Sequence, residues 1–252
     1  MLTVCSRTHP GFVRSTNEDV ALWDPDLGLL IVADGMGGHR AGEVASRLAV
    51  DTVRSFLTES AAGGNISWPF GFDPAMSMPA NRLKTAVRLA NARVRRASEE
   101  RADYTGMGTT IVAALVVGSH VTYAGVGDSR LYAWGNAELR QLTADDSWIV
   151  MLQKESGLGP AAFANHPMRH VLTSVIGARH DLDVTVQELA LTAGQILLLC
   201  TDGLHGALPD QVIASTLEHQ PDLERAAEML VQAAVTCDGS DNVTILLARQ
   251  SS

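Results

Sequence analysis

Four aspartates stand at the tips of apolar runs, and carboxylates placed that way can hold a cation. Residues 27–33 lead into Asp34, 121–127 into Asp128, and 196–201 into Asp202. A fourth acid, Asp241, comes before Asn242 and the apolar run 243–248. If these runs are strands, acids that follow some and precede another meet at one edge of an antiparallel sheet, because neighbouring strands run oppositely. Carboxylates that close together repel and hold protons. A divalent cation removes the conflict, and Mg²⁺ or Mn²⁺ prefers hard oxygen ligands. The pattern points to a metal site with hydrolytic chemistry.

Two further segments carry suitable groups. In Asp34-Gly35-Met36-Gly37-Gly38-His39, three glycines within five residues permit a tight turn and a close approach of backbone to an ion. The Asp34 carboxylate and the Gly35 carbonyl could then serve neighbouring metals. No Lys-Ser/Thr ending follows, so a nucleotide P-loop is excluded. Upstream, in Arg14-Ser15-Thr16-Asn17-Glu18-Asp19, the arginine offers a fork of donors for phosphate. Glu18 could hold a metal directly or through water. Taken singly, the glycine segment also reads as a hairpin or helix-start turn, and Arg14 to Asp19 as a surface ion-pair cluster. Turns and caps account poorly for four acids that all sit at strand ends.

The elements that must position these groups come in blocks. Strand-like runs cover 27–33, 109–117, 121–126, 130–134, 186–190, 196–200 and 243–248. Apolar residues recur at helical spacing over 41–57 and 81–101. Two more helices begin at Pro209-Asp210 and Pro221-Asp222, where proline suits the first turn and an acid suits the helix dipole. Residues 61–79, rich in Gly, Pro, Ser and aromatics, read as an ordered surface loop. Helices arrive in pairs between blocks of strands, so the α+β class with antiparallel sheets and outer helices fits better than a parallel doubly wound sheet. No repeat or linker divides the chain, and residues 1–252 are expected to form one domain.

Composition narrows the function. The chain has 252 residues, 46% hydrophobic and 19% charged, enough for a full core. Its longest apolar stretch, 111–117, is far short of the roughly 20 residues of a membrane helix. No signal-like segment opens the sequence, and Cys5, Cys200 and Cys237 read as reduced thiols, so a cytoplasmic location is expected. A net charge of −9 argues against nucleic-acid binding. The one basic cluster, around Arg88, Arg93, Arg95, Arg96 and Arg101, reads as a solvated helix face interleaved with Glu99 and Glu100.

The ordered motifs resemble one family. Arg14, Asn17-Glu18-Asp19, Asp34-Gly35-Met36-Gly37-Gly38-His39, Gly106-Met107-Gly108-Thr109-Thr110 and Gly127-Asp128-Ser129-Arg130 follow in sequence. Leu142-Thr143-Ala144-Asp145-Asp146-Ser147, Thr201-Asp202-Gly203 and Asp241-Asn242 complete the series. Together, over about residues 7 to 249, they resemble the metal-dependent serine/threonine phosphatases of the 2C type (PPM) in their short bacterial form. The resemblance implies two antiparallel sheets packed as a sandwich, with helices on both outer faces. It implies that Asp34 bridges two Mn²⁺ or Mg²⁺ ions, that Asp202 and Asp241 complete one site, and that the Gly35 carbonyl and Glu18, through water, serve the other. Arg14 corresponds to the phosphate-binding arginine, Asp128 to a ligand of a third, weaker ion, and 147–171 to a flap that influences substrate choice.

Two positions depart from the family pattern. Met36 stands where animal members have a histidine proposed as general acid, and thioether sulfur has no proton to give. His39 is close in sequence but reads equally as a group that orients the glycine loop. Asp146 replaces the histidine usual in bacterial members. The implied reaction is hydrolysis of phosphoserine and phosphothreonine in proteins by direct attack of a water bridging two cations roughly 3.5–4 Å apart. The implied partners are phosphoprotein substrates of a bacterial Ser/Thr kinase, with the phosphatase a monomer that needs neither nucleic acid nor membrane. A catalytically silent phosphoprotein-binding relative would be marked by loss of a metal-binding acid, and none is lost. A phosphodiesterase or nucleotidase would recruit several histidines, and the eight present form no ligand pattern.

Overall fold

The computed structural model describes residues 2–38, 41–63, 66–157, 166, 168 and 171–251. In chain order the strands are β1 (Leu2–His9), β2 (Asp19–Asp24), β3 (Leu29–Met36), β4 (Gly108–Thr109), β5 (Ile111–Val117) and β6 (His120–Val126). They continue as β7 (Arg130–Gly135), β8 (Glu138–Gln141), β9 (Val186–Ala190), β10 (Ile196–Cys200) and β11 (Val243–Gln250). The helices are α1 (Ala41–Ala61), α2 (Met78–Glu100), α3 (Trp148–Ser156), α4 (Asp202–His205), α5 (Asp210–His219) and α6 (Leu223–Cys237). One sheet has the order β1-β11-β10-β7-β8 and the other β2-β3-β5-β6-β9, with β4 beside β3. The pairings within both sheets are antiparallel.

The apolar runs are continuous because their strands are covered on both faces. In β3, Leu29, Ile31 and Ala33 pack with α1 and α2, whereas Leu30 and Val32 face the other sheet. In β10, Leu197 and Leu199 face inward, whereas Ile196, Leu198 and Cys200 pack with α4, α5 and α6. The layers are therefore α-β-β-α, with one apolar layer between the sheets and one under each helical face. Helix starts follow local chemistry. Ser77 caps α2 by accepting from the Ala80 amide at 3.1 Å, and Asp222 caps α6 by accepting from the Arg225 amide at 2.9 Å. On the outer side of α2, Arg95 pairs with Glu99 and Arg96 with Glu100, and Arg88 lies over Phe70, as expected of a solvated face.

Three strands had no sequence signal. β1, β2 and β8 each lie at a sheet edge and are largely exposed or half-buried. The run 109–117 is broken at Thr110 into β4 and β5, and β3 continues past Ala33 to Met36. Asp34 therefore lies inside a strand, not at its tip. The inter-sheet layer sets the spacing of everything at its mouth. Leu199→Ala, which empties a position with no solvent exposure, should lower unfolding free energy by about 2–5 kcal/mol in urea titrations. A loss well under 1 kcal/mol would show that this layer is not tightly packed.

Candidate metal centre

Strand alternation decides where the acids point. Asp34 shares the inward face of β3 with Leu30 and Val32. Asp19 shares its face of β2 with Ala21 and Trp23, which also pack on the inter-sheet layer, and it is the direct cross-strand partner of Asp34. Asp202 opens α4 immediately after β10, Asp241 lies two residues before β11, and Asp128 lies between β6 and β7. The acids thus come from both sheets and gather at the mouth of the layer between them. This corrects the expectation of a single sheet edge: closing the sandwich adds a second set of strand ends to the same place.

Short hydrogen bonds fix the backbone under each acid. The Asp34 amide donates to Thr110 Oγ1 at 3.0 Å, and the Asp34 carbonyl accepts from the Thr110 amide and from Thr109 Oγ1, both at 2.8 Å. Thr110 Oγ1 also lies 2.7 Å from Ser129 Oγ, tying this strand to the Asp128 turn. Asn242 holds the Arg14 and Glu18 segment. Its Oδ1 accepts from the Glu18 amide at 2.8 Å, and its Nδ2 donates to the carbonyls of Pro10 and Thr16 at 2.9 and 3.0 Å. Arg14 Nη2 donates to Asp241 Oδ2 at 2.7 Å, which places the expected phosphate group's partner on the expected metal ligand.

Two glycines allow the acids to approach. A Cβ on Gly203 would lie 2.0 Å from the Asn242 carbonyl oxygen, so only glycine lets the Asp202 turn meet the Asp241 turn. A Cβ on Gly42 would lie 2.6 Å from the Glu18 carboxylate. That carboxylate rests on the first turn of α1; burial raises it above the ordinary carboxylate range, while Arg14 and the amides of Glu43 and Gly42 partly offset this by favouring its charged form.

The mouth carries more negative charge than its own cations offset. Burial raises Asp34 well above the ordinary carboxylate range, and the charges of Asp19, Asp202, Asp241 and Asp128 raise it further. Burial pushes Asp19 up to about 7, against the opposing hydroxyls of Thr244 and Thr201; Thr201 Oγ1 donates to Asp19 Oδ2 at 2.9 Å. Asp128 is likewise raised to about 7 by burial and then by Asp202. Among the described residues, Glu18 Oε1 and Asp19 Oδ1 are buried without a hydrogen-bond partner. Among the described residues, no group of three or more His, Cys, Asp or Glu side chains is placed to hold a metal ion by itself. Carbonyl and water oxygens would have to complete any coordination shell, and Arg14 holds one oxygen of Asp241. Orphaned carboxylate oxygens and surplus negative charge suit a hard divalent cation.

The structure thus brings together Arg14, Glu18, Asp34, Gly35, Asp128, Asp202 and Asp241. Met36 lies in β3 opposite Gly108. His39 falls outside the described residues, as does much of 147–171; the described part begins as α3. Asp19, Thr110, Thr201 and Asn242 had been given no role of their own. Asp19 could have been found from its place beside Glu18 once β2 was known; the others act through distant partners that spacing does not reveal.

Comparison with known proteins assigns the chain to a family. Residues 14–243 match the Protein phosphatase 2C family. The chain is 33% identical over 251 residues to the serine/threonine phosphatase stp of Listeria monocytogenes, covering 97% of this chain and 94% of that protein. It is 33% identical over 248 residues to the serine/threonine protein phosphatase PstP of Mycobacterium tuberculosis, covering 98% of this chain but only 45% of that relative's length. The structure of the PstP catalytic domain in complex with two manganese ions superposes with a TM-score of 0.84 at 31% identity, covering 100% of this chain and 99% of that one. The chain belongs to the protein phosphatase 2C family.

The raised acids set a pH dependence. Asp19 and Asp128 stand near 7 in the folded state against an ordinary value of 3.8. Between those values the folded metal-free protein binds protons that the unfolded chain has released. The stability these groups contribute is full below about pH 4 and is lost as pH rises through about 7. Thermal melts in chelator from about pH 5 to about pH 8 should show this decline, and Mn²⁺ should remove most of it, because a cation then offsets the charge that protons offset. A metal-free melting temperature that climbs across the window would contradict the electrostatics.

Proposed function

We propose that the chain is a protein-serine/threonine phosphatase that hydrolyses phosphoserine and phosphothreonine with two divalent cations, Mn²⁺ or Mg²⁺, acting as one domain opposing a bacterial Ser/Thr kinase. The observation that carries this reading is the inward Asp34 carboxylate, raised by Asp19, Asp202, Asp241 and Asp128 at one mouth. Asp34 would bridge the two ions, with Asp202 and Asp241 on one and the Gly35 carbonyl and water-linked Glu18 on the other. Asp128 would take a third. When bound, the cations offset charge on the phosphoryl oxygens and lower the pKa of the water that attacks phosphorus.

The chain's own residues do the rest. Arg14, exposed at the rim, supplies two-point donation to a phosphoryl group once it exchanges Asp241 for substrate. Asn242 keeps Arg14 and Glu18 in register with Asp241. In the overall step the water oxygen bonds to phosphorus, the bond to the serine or threonine oxygen breaks, and that oxygen takes up a proton. Cys200 is fully buried and burial raises its thiol, so it is poorly placed as a thiolate nucleophile.

Activity on a phosphothreonine peptide should vanish with chelator and return with Mn²⁺; full turnover in metal-free buffer would sink the proposal. Asp34→Ala, Asp202→Ala and Asp241→Ala should each lower kcat by roughly 10²-fold or more while the protein still folds. Arg14→Ala should act chiefly on KM, by on the order of 10–100-fold, as expected for loss of a charge-assisted hydrogen bond to phosphate. An Arg14 variant with unchanged KM and a collapsed kcat would assign it a different role.

A further inference from the structure

Asp146, the departure in the Thr143 segment, is half-buried between β8 and α3. Its contacts join two parts of the molecule that the sequence does not link. The Asp146 amide donates to the Gly127 carbonyl at 2.8 Å, and Asp146 Oδ2 accepts from the Gly127 amide at 3.1 Å. This reciprocal pair fixes both the position and the orientation of the residue preceding Asp128. On its other side, the Asp146 carbonyl accepts from the Thr173 amide at 2.7 Å. The next residues continue that join: Ser147 bridges to Leu172 in antiparallel fashion, and the Trp148 amide donates to the Val171 carbonyl at 2.8 Å.

Among the described residues, α3 has no fully buried side chain; Trp148 meets the His166 ring, and the hydrogen bonds at the first turn join the helix to 171–173. A cleft of about 250 Å³, lined in part by Thr143, Asp146, Lys154 and Asp183, lies beside it. With a face that is at most half-buried, such a helix is registered in good part by the hydrogen bonds at its first turn.

We propose that Asp146 is a positioning residue that registers α3 and the 171–173 segment against the Asp128 turn, so that the placement of one sets the placement of the other. The inference rests on the reading of Asp128 as an ion ligand only for its effect on metal activation; the tether itself is testable without metal.

Asp146→Ala removes the side-chain acceptor, whereas Asp146→Asn keeps an oxygen able to accept from Gly127. In metal-free protein, residue-resolved amide exchange in the alanine variant should quicken by about tenfold at Gly127, Trp148 and Thr173. Exchange at Ile31 and Leu246, one in the interior of each sheet, should stay as in the parent. The asparagine variant should keep parental protection. In Mn²⁺ titrations with a small aryl phosphate, the alanine variant should need several-fold more Mn²⁺ for its low-affinity phase, and the asparagine variant should not. Unchanged exchange at the three amides, acceleration spread through both sheets, or equal loosening in both variants overturns the tether. If the alanine variant fails to fold, the asparagine variant decides: parental exchange and metal activation support the proposal, and loosened exchange rejects it. Quickened exchange with an unmoved Mn²⁺ curve overturns the link to Asp128 while leaving Asp34, Asp202 and Asp241 as ligands untouched.

Discussion

Two carboxylates face each other across a strand pair at the mouth of a closed sandwich, and the rest of the site follows from that conflict. Asp19 and Asp34 are direct partners in the β2–β3 ladder, both half-buried. Like charges so placed destabilise a sheet, and burial removes the solvent that would screen them. Asp202, Asp128 and Asp241 add to the same field. A fold that tolerates this must either hold protons there or present the oxygens to a cation. Natural proteins concentrate such local costs at functional sites, where surrounding structure can hold them in place.

That holding is visible around the mouth. Thr109 and Thr110 clamp the Asp34 backbone, Thr201 donates to Asp19, and Asn242 ties the Arg14 segment to the start of β11. Beneath Asp128, Arg130 makes a two-point contact with Asp145 and donates to the Tyr132 hydroxyl at 2.8 Å. Burial opposes the Arg130 charge, but Asp145 and Tyr132 more than compensate and keep it cationic. His205 Nε2 lies 2.9 Å from the Asp128 carbonyl, and burial lowers its ring to about 4, so it meets that carbonyl as a neutral donor. These contacts are short and come from different elements, which makes the mouth rigid where chemistry needs placement within a fraction of an ångström.

Much of this was legible in order but not in space. Asp34, Asp128, Asp202 and Asp241 stood out because each interrupts an apolar run. The inner strands β3, β5, β6 and β10 were readable because two covered faces make a run continuously apolar. The edge strands β1, β2 and β8 went unread, although β9, also at an edge, was readable. Asp19 was hidden by the same fact. Without β2 there was no cross-strand register, and without register Asp19 was only the neighbour of Glu18.

By itself the sequence determined the class of elements, the order of the motifs and the family to which the chain belongs, since these depend on local periodicity and residue type. Only the tertiary structure decided that the acids come from two sheets, that Asp19 opposes Asp34, and that Arg14 rests on Asp241. The same holds for Asn242, Thr110 and Asp146, whose partners lie far away in the chain. The physical reason is the alternation of a strand. Which face a side chain occupies is local, but what it meets there depends on the register and stacking of distant segments, 224 residues apart for Glu18 and Asn242.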